Sequence, residues 1–116
     1  MSVENIKTVE SVKHWIEDAG YNSPKRSQEV EHLLNELSDF CDFTEKDPDE
    51  LVESCLRTTK SGDISISAKG RREIDDTIDE FVKSKGLSGH NAIVVGNNIR
   101  GFLIHNGVFM QGKVSL

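Results

Sequence analysis

The feature that most constrains this chain is the spacing of its apolar residues, which recur three and four residues apart. This pattern is typical of amphipathic α-helices and not of strands. It predicts five helices, over residues 8–19, 24–43, 48–56, 71–85 and 88–106. Glycine follows the first, fourth and fifth, where its freedom to adopt positive φ ends a helix. The pairs Ser23-Pro24 and Asp47-Pro48 are typical helix starts.

The segment TTKSGDISISAKGRR (residues 58–72) is rich in Ser, Gly and Lys and interrupts the helical pattern. Ile64 and Ile66 alternate with polar residues as in a strand, but a single short alternation without a partner strand is weak. We therefore predict a loop here. The sequence as a whole predicts an all-α fold, a single small domain over residues 1–116.

The composition of the chain leads to expectations about its location in the cell. No apolar run approaches the ~20 residues of a membrane span, and the N-terminus MSVENIKTVESV lacks the pattern of a secretory signal. We therefore expect a cytoplasmic protein without membrane contact. Cys41 and Cys55 lie on apolar helical positions, which favours buried free thiols, with a disulfide as the alternative. The cysteines and the four scattered histidines lack metal-ligand spacing, so no metal or cofactor is expected.

The charges are partitioned along the chain, whose formal net charge is −6. Residues 1–56 carry 14 acids and 5 bases, residues 73–80 carry only acids, and no Asp or Glu follows Glu80. Between them, residues 57–72 hold one acid, Asp63, and five bases: Arg57, Lys60, Lys69, Arg71 and Arg72. The local electrostatic field governs the docking of a partner more than the total charge does, so this pattern predicts a distinct positive face. The alternative is a charge pattern without function.

The fifth predicted helix has an unusual surface composition. Its core face comprises Ala92, Val95, Ile99, Phe102, Leu103 and Asn106. The opposite face comprises His90, Val94, Asn97, Gly101 and Ile104, flanked by Asn91, Asn98 and Arg100. Asn and Gly are poor helix formers, by up to about 1 kcal/mol relative to Ala. Two explanations of this composition are open. The face can approach DNA closely, with Asn hydrogen-bonding to bases or phosphates. Alternatively, the helix is packed nearly all round at the centre of a bundle, and both explanations can hold together.

The second predicted helix begins with a basic, acid-free turn, Pro24-Lys25-Arg26-Ser27-Gln28. Cations near a helix N-terminus are unfavourable by a few tenths of a kcal/mol, which suggests an external anion. The alternative interpretation is an exposed Lys-Arg pair without function.

Three runs carry a family resemblance: SPKRSQEVEHLLNELSDFCDF, DPDELVESCL and IDDTIDEFVKSKGLSGHNAIVVGNNIRGFLIHNGV. They resemble the N-terminal SAM-like, core-binding domain of tyrosine recombinases (phage integrases), over about residues 9–108. The resemblance implies a four- to five-helix orthogonal bundle that forms one half of a clamp around recombination-site duplex DNA. Carried over residue by residue, it points to Ser23, Lys25, Arg26, Gln28, His90, Asn91, Asn97 and Arg100 as DNA contacts. Charge alone adds Lys60, Lys69, Arg71 and Arg72.

The chain departs from that family in two respects. Arg26 and Val30 stand where relatives usually carry Thr and an aromatic residue, and eight acids lie in residues 36–53. The family's chemistry needs a nucleophilic tyrosine with Arg and His groups, whereas the sequence has one tyrosine, Tyr21, in a predicted turn, and no His-x-x-Arg. We therefore expect a separated, monomeric domain that is not itself an enzyme and works with the catalytic domain of its parent protein.

A second hypothesis from a different functional class is a protein-interaction module. SAM-like bundles also mediate protein contacts, and the acidic second and third predicted helices, with Glu36–Glu53, would suit a basic partner. A small-molecule enzyme has the least support, because the sequence lacks a Gly-rich phosphate loop and a metal cluster.

Overall fold

The computed structural model describes residues 3–110, which form six α-helices and one short β-hairpin. A 3₁₀ turn, Pro24–Arg26, precedes the third helix. The elements in chain order are α1 (Val3–Ile6), α2 (Glu10–Asp18), α3 (Ser27–Thr44), α4 (Pro48–Glu53), β1 (Leu56–Thr58), β2 (Ile64–Ile66), α5 (Ala68–Ser84) and α6 (Gly89–His105). The described part of the chain is thus a small, mostly helical domain.

The five predicted helices are confirmed as α2 to α6, with shifts at their ends. The largest shifts are of three residues: α3 begins at Ser27 after a 3₁₀ turn, α4 ends at Glu53, and α5 begins at Ala68 and not at Arg71. Sequence periodicity missed α1, because its four residues are too few to show a period. Ile6 of α1 is nevertheless fully buried, and α1 packs on α3.

The hairpin corrects the expectation of an all-α chain with a loop over residues 58–72. Strands β1 and β2 pair antiparallel, with Leu56 opposite Ile66 and Thr58 opposite Ile64. The chain turns through Gly62, whose φ of +89° strongly favours glycine. The alternation at Ile64 and Ile66 therefore did mark a strand. Its partner, β1, begins at Leu56, the last residue of the third predicted helix, and ends at Thr58, the first residue of the predicted loop.

The buried side chains form one hydrophobic cluster that runs from α1 to Met110. Helix α6 lies at its centre, in contact with α2, α3 and α5. Its Phe102 ring meets Trp15 of α2 edge-on at 5.4 Å, and Phe40 of α3 meets Phe81 of α5 at 5.2 Å. The predicted core face of α6 is confirmed, since Ile99, Phe102 and Leu103 are buried.

The residues predicted to cap the helix starts differ in whether their side chains form a capping hydrogen bond. Asp47 caps α4 in a complete capping box with Glu50, as the Asp-Pro pair predicts. Ser23 and Ser88 have extended backbones but make no side-chain capping bond, and Ser23 is half-buried. The side chain of Ser67 instead caps α5, which explains the earlier start of that helix.

Candidate nucleic-acid interface

The base of the hairpin is fastened to the first turn of α5. The backbone N–H of Ser67 donates to the carbonyl of Cys55 at 2.7 Å, and the Ser67 hydroxyl accepts from the N–H of Gly70 at 3.0 Å. A Cβ on Gly70 would lie 2.1 Å from the carbonyl oxygen of Ser54, so only glycine permits this approach. Hairpin and helix start therefore form one packed unit, residues 56–72, which we call the hairpin–helix junction.

The junction concentrates positive charge. Its cations are Arg57, Lys60, Lys69, Arg71 and Arg72, against the single acid Asp63. Lys60 and Arg72 are exposed and form no ion pair within residues 3–110. Lys69 lies 3.9 Å from Glu73, but both side chains are largely exposed, so the pair is weak. Most of this charge is therefore open to an external anion.

Two arginines of the junction are positioned without being neutralised. The Arg57 Nε donates to the hydroxyl of Ser65 across the hairpin at 3.3 Å. The Arg71 Nη1 donates to the backbone carbonyl of Phe109 at 3.4 Å. Because neither acceptor is ionised, these two hydrogen bonds bring no counter-charge to either guanidinium group. Arg57 was not among the predicted contact residues. The alternation of residues 56–58 could have identified it as a residue of a strand.

The basic turn before α3 is only partly available to a ligand. Arg26 donates to both carboxylate oxygens of Glu29, at 3.0 and 3.2 Å, and its guanidinium lies 4.5 Å from the centre of the Tyr21 ring. Its charge is thus largely matched within the chain. Lys25 and Gln28 are exposed, and Lys25 has no ion pair among the described residues.

Helix α6 exposes the polar residues of its first turn, whereas most residues of its last turns are packed in the core. His90 and Asn91 are exposed in the first turn. Asn97 is half-buried, and its Oδ1 accepts from the Nη1 of Arg100 at 3.4 Å. In the last turns, buried residues hold the helix in the core, and the side-chain amide of Asn106 donates a hydrogen bond to the Ser11 carbonyl at 3.0 Å.

Arg100 is buried, which corrects the expectation that it contacts DNA. The residue is 1% exposed. Its Nε donates to Asp75 at 2.8 Å and its Nη2 to Asp79 at 3.1 Å, so two carboxylates of α5 neutralise the guanidinium. The sequence placed Arg100 on the flank of the helix, but did not reveal that a pair of acids four residues apart on α5 faces it.

Several acids of α3 and α4 serve the fold itself. Asp47 and Glu50 are committed to the capping box. Asp49 accepts from the backbone N–H of Ser11 at 3.2 Å, which ties α4 to α2. Glu36, only 7% exposed, accepts from the amide of Asn98 on α6 at 2.9 Å. The acidity of these helices is therefore less available to a partner than their sequence suggests.

Other types of site have little support in the described residues. An open groove of about 520 Å³ lies between the end of α5 and the start of α6, with a mainly aliphatic lining that includes Val82, Leu87 and Ile93. Within residues 3–110, no three His, Cys, Asp or Glu side chains are grouped to hold a metal ion. Over the same residues, no helix has both the length and the apolar character that crossing a membrane requires.

Comparison with known proteins gives no family for this chain. No protein-family model, no curated protein and no solved structure matches it. Its function therefore has to be inferred from its own residues.

Proposed function

We propose that this chain is a DNA-binding domain of a tyrosine recombinase, which clamps the duplex at a recombination site. The observation that carries the proposal is the hairpin–helix junction, where five cations and one acid lie on a single packed unit. Lys and Arg contacts to phosphates supply most of the affinity of proteins for duplex DNA. A segment with this excess of positive charge suits a polyanion even though the whole chain is acidic.

The sequence resemblance supports the same conclusion. The runs that resemble the core-binding domain of integrases lie within residues 23–108, from the turn before α3 to the end of α6, and the described residues form a small helical domain. The SAM-like orthogonal arrangement of these helices is part of the proposal. The hairpin between α4 and α5 is an addition that the resemblance did not imply.

The structure changes which residues we assign to the interface. The phosphate-binding residues in this proposal are Lys25, Arg57, Lys60, Lys69, Arg71 and Arg72. Gln28, His90 and Asn91, all exposed, supply hydrogen-bonding groups for phosphates or bases. Arg26 and Arg100 leave the interface because carboxylates within the chain neutralise them.

In this proposal the domain binds DNA in the cytoplasm without a cofactor and leaves the chemistry to another domain of its parent protein. Strand cleavage needs a tyrosine nucleophile. Tyr21 instead packs edge-on against Trp15, with ring centres 6.4 Å apart, and lies beneath Arg26. These contacts give Tyr21 a packing role.

The competing hypothesis, an interaction module that uses acidic α3 and α4, is weakened by the internal use of those acids. Asp47, Asp49 and Glu50 hold α4 in place, and Glu36 is buried. Five exposed acids of residues 36–53 remain for a basic partner: Asp39, Asp42, Glu45, Glu50 and Glu53. We favour DNA binding because Asp39 pairs with Lys85 and Glu50 with the α4 cap, whereas Lys60 and Arg72 of the junction have no ion pair among the described residues.

Fluorescence anisotropy with a labelled duplex tests the proposal. We expect a dissociation constant of roughly 10⁻⁴ to 10⁻⁶ M near physiological salt and much tighter binding at low salt. The combined variant Lys60→Gln, Lys69→Gln and Arg72→Gln should bind more weakly on any sequence. It should also lower the dependence of log K on log salt by about one for each lost phosphate contact.

Lys83→Gln is the matched control, because Lys83 is an exposed cation of α5 without an ion pair among the described residues. It lies more than ten residues from the junction, so we expect little loss of affinity. Failure of the unmodified chain to bind duplex at low salt would refute the proposal. Equal losses from Lys83→Gln and the combined variant would show that the interface lies elsewhere.

A further inference from the structure

Phe109, which follows the end of α6, is the most exposed aromatic residue of the chain. All the aromatic residues (five Phe, one Trp and one Tyr) fall within residues 3–110. The other six pack in ring pairs: Trp15, Tyr21, Phe40, Phe43, Phe81 and Phe102. Phe109 belongs to no such pair and is 67% exposed. Its side chain is therefore open to a ligand.

The fold holds Phe109 on the surface. Its neighbours Val108 and Met110 are buried, at 0% and 5% exposure. The backbone N–H of Val108 also donates to the carbonyl of Leu103, in the last turns of α6, at 3.0 Å. Because the residues on both sides are anchored in the core, the residue between them is left outside. The exposure of Phe109 is therefore a consequence of how this segment packs.

Two arginines of the hairpin–helix junction lie beside Phe109. The Nη1 of Arg71 donates to the backbone carbonyl of Phe109 at 3.4 Å. This bond uses one of the N–H donors of the guanidinium, which has five. Arg71, Arg72 and Phe109 line one surface depression of about 180 Å³, together with Asp75 and Met110. We call Arg71, Arg72 and Phe109 the arginine–phenylalanine site.

The charge of the arginine–phenylalanine site favours an anion. Arg72 has no ion pair within residues 3–110, and the acceptor of Arg71 is an uncharged carbonyl. Asp75 also lines the depression, but its carboxylate accepts from the Nε of the buried Arg100 at 2.8 Å. That ion pair matches the charge of Asp75 within the chain. The two guanidinium groups therefore give the depression a positive character.

A nucleotide supplies both of the groups that this site can bind. Its phosphate is an anion for the guanidinium groups, and its base has a flat face that stacks on an aromatic ring. An acidic peptide would also satisfy the two arginines, but it has no need of an exposed ring beside them. The other cations of the junction favour a continuous polyanion over a free nucleotide. The ligand that fits these features is a nucleic-acid strand.

Base stacking limits which form of DNA can meet Phe109. Within a duplex, the neighbouring base pairs cover both faces of a base, so a protein ring can stack only on a base that has left the stack. We propose that Phe109 stacks on an unpaired DNA base, while Arg71 and Arg72 bind the phosphates beside it. This inference rests on the proposed DNA binding and adds to it a preference for DNA that contains an unpaired base.

The preference should concern the presence of an unpaired base and not its identity. A phenylalanine ring has no hydrogen-bond donor or acceptor, and every base has a face that can stack. The carboxylate of Asp75, which could distinguish bases, is engaged by Arg100. Unpaired thymine and unpaired adenine should therefore both raise the affinity.

Fluorescence anisotropy of the full chain with a pair of labelled duplexes tests the inference. Both duplexes have the same paired sequence, and one of them also carries a short central bulge of unpaired thymines. The unmodified chain should bind the bulged duplex about tenfold more tightly, since loss of a base–aromatic stack by alanine substitution typically costs affinity of that order. Phe109→Ala should bind both duplexes as the unmodified chain binds the perfect duplex.

Further variants separate stacking from apolar contact. Phe109→Trp keeps a flat ring and should keep the preference, whereas Phe109→Leu keeps apolar bulk without a ring and should lose it. Ile64→Ala is the matched control, because Ile64 is 71% exposed on the same junction and has no ring. It should leave the preference unchanged. Thermal unfolding checks that each variant is folded, and we expect little change because both positions are exposed.

Photocross-linking identifies the contact directly. With 5-iodouracil in place of an unpaired thymine, irradiation should link the DNA to Phe109, and mass spectrometry locates the linked residue. Equal affinity of the unmodified chain for the two duplexes, or a preference that survives Phe109→Ala, would overturn the inference and leave the proposed DNA binding intact. Failure to bind either duplex at low salt would overturn both.

Discussion

Gly96 makes room for the side chain of Arg100, one turn later in the same helix. A Cβ on Gly96 would lie 2.7 Å from the Nη1 of Arg100 and 3.5 Å from the Ile78 side chain of α5. The space lets the guanidinium reach Asp75 and Asp79 while it remains 1% exposed. Packing of α6 on α5 therefore depends on a glycine and a buried ion-pair network acting together.

The two interior glycines of α6 should respond in opposite ways to substitution. Gly96→Val overpacks the α5–α6 contact, so we expect it to lower the free energy of unfolding by about 1–3 kcal/mol. Gly101→Ala meets open space and gains helix propensity, so it should raise that free energy by up to about 1 kcal/mol. Urea unfolding of the dilute chain measures both. Similar effects from the two variants would contradict the packing described for Gly96.

Removing the acids that pair with Arg100 should cost more stability than removing Arg100 itself. The double variant Asp75→Ala and Asp79→Ala leaves a buried guanidinium without a counter-charge, and we expect a loss of about 3–5 kcal/mol in stability. Arg100→Met keeps apolar volume and leaves two carboxylates that are 35% and 44% exposed and can be hydrated, so its loss should be smaller. Denaturant unfolding at neutral pH compares them. A larger loss for Arg100→Met than for the double variant would contradict this account.

The contact between Asp18 and His105 should make stability depend on pH. The hydrogen bond from His105, with Oδ2 and Nδ1 2.7 Å apart, lowers the pKa of Asp18, aided by the charges of His105 and His14. Because the folded-state pKa lies below the unfolded one, the contribution is present above about pH 3.9, the usual pKa of Asp. It is lost as pH falls through the folded-state pKa.

Asp18→Asn removes this dependence. The difference in unfolding free energy between the unmodified chain and Asp18→Asn should therefore persist at mildly acidic pH and shrink in stronger acid. Thermal unfolding across that pH range measures it. Asp76→Asn, which removes an exposed acid of α5, is the control. A difference that grows on acidification would show that the linkage has the opposite sign.

Both cysteine thiols should be inert in the folded chain. Burial, with a smaller effect of Asp47, raises the pKa of Cys41 to about 12. Burial also raises the pKa of Cys55, and both residues are at most 2% exposed. Since the thiolate is the reactive form, a disulfide reagent at pH 8 should modify neither residue until urea unfolds the chain. Rapid modification of the native chain would contradict the burial of these thiols.

The sequence by itself determined most of the helices and much of what they expose. Gly20, Gly86 and Gly107 follow α2, α5 and α6 with positive φ, as their positions after apolar periods predict. Exposure of Lys25 and His90 was also predicted. These features depend on residues within a turn or two of each other, where spacing and backbone preference act directly.

Only the tertiary structure decided which polar groups find partners across the fold. Strand β2 required Leu56–Thr58 as its partner, and the site of Arg100 required acids 21 and 25 residues away on α5. Glu36 meets Asn98 across 62 residues, which turned a predicted surface acid into a buried link between α3 and α6. Burying a charge or pairing a strand depends on which groups the packed helices bring into contact. The spacing of residues along the sequence does not show which groups these are.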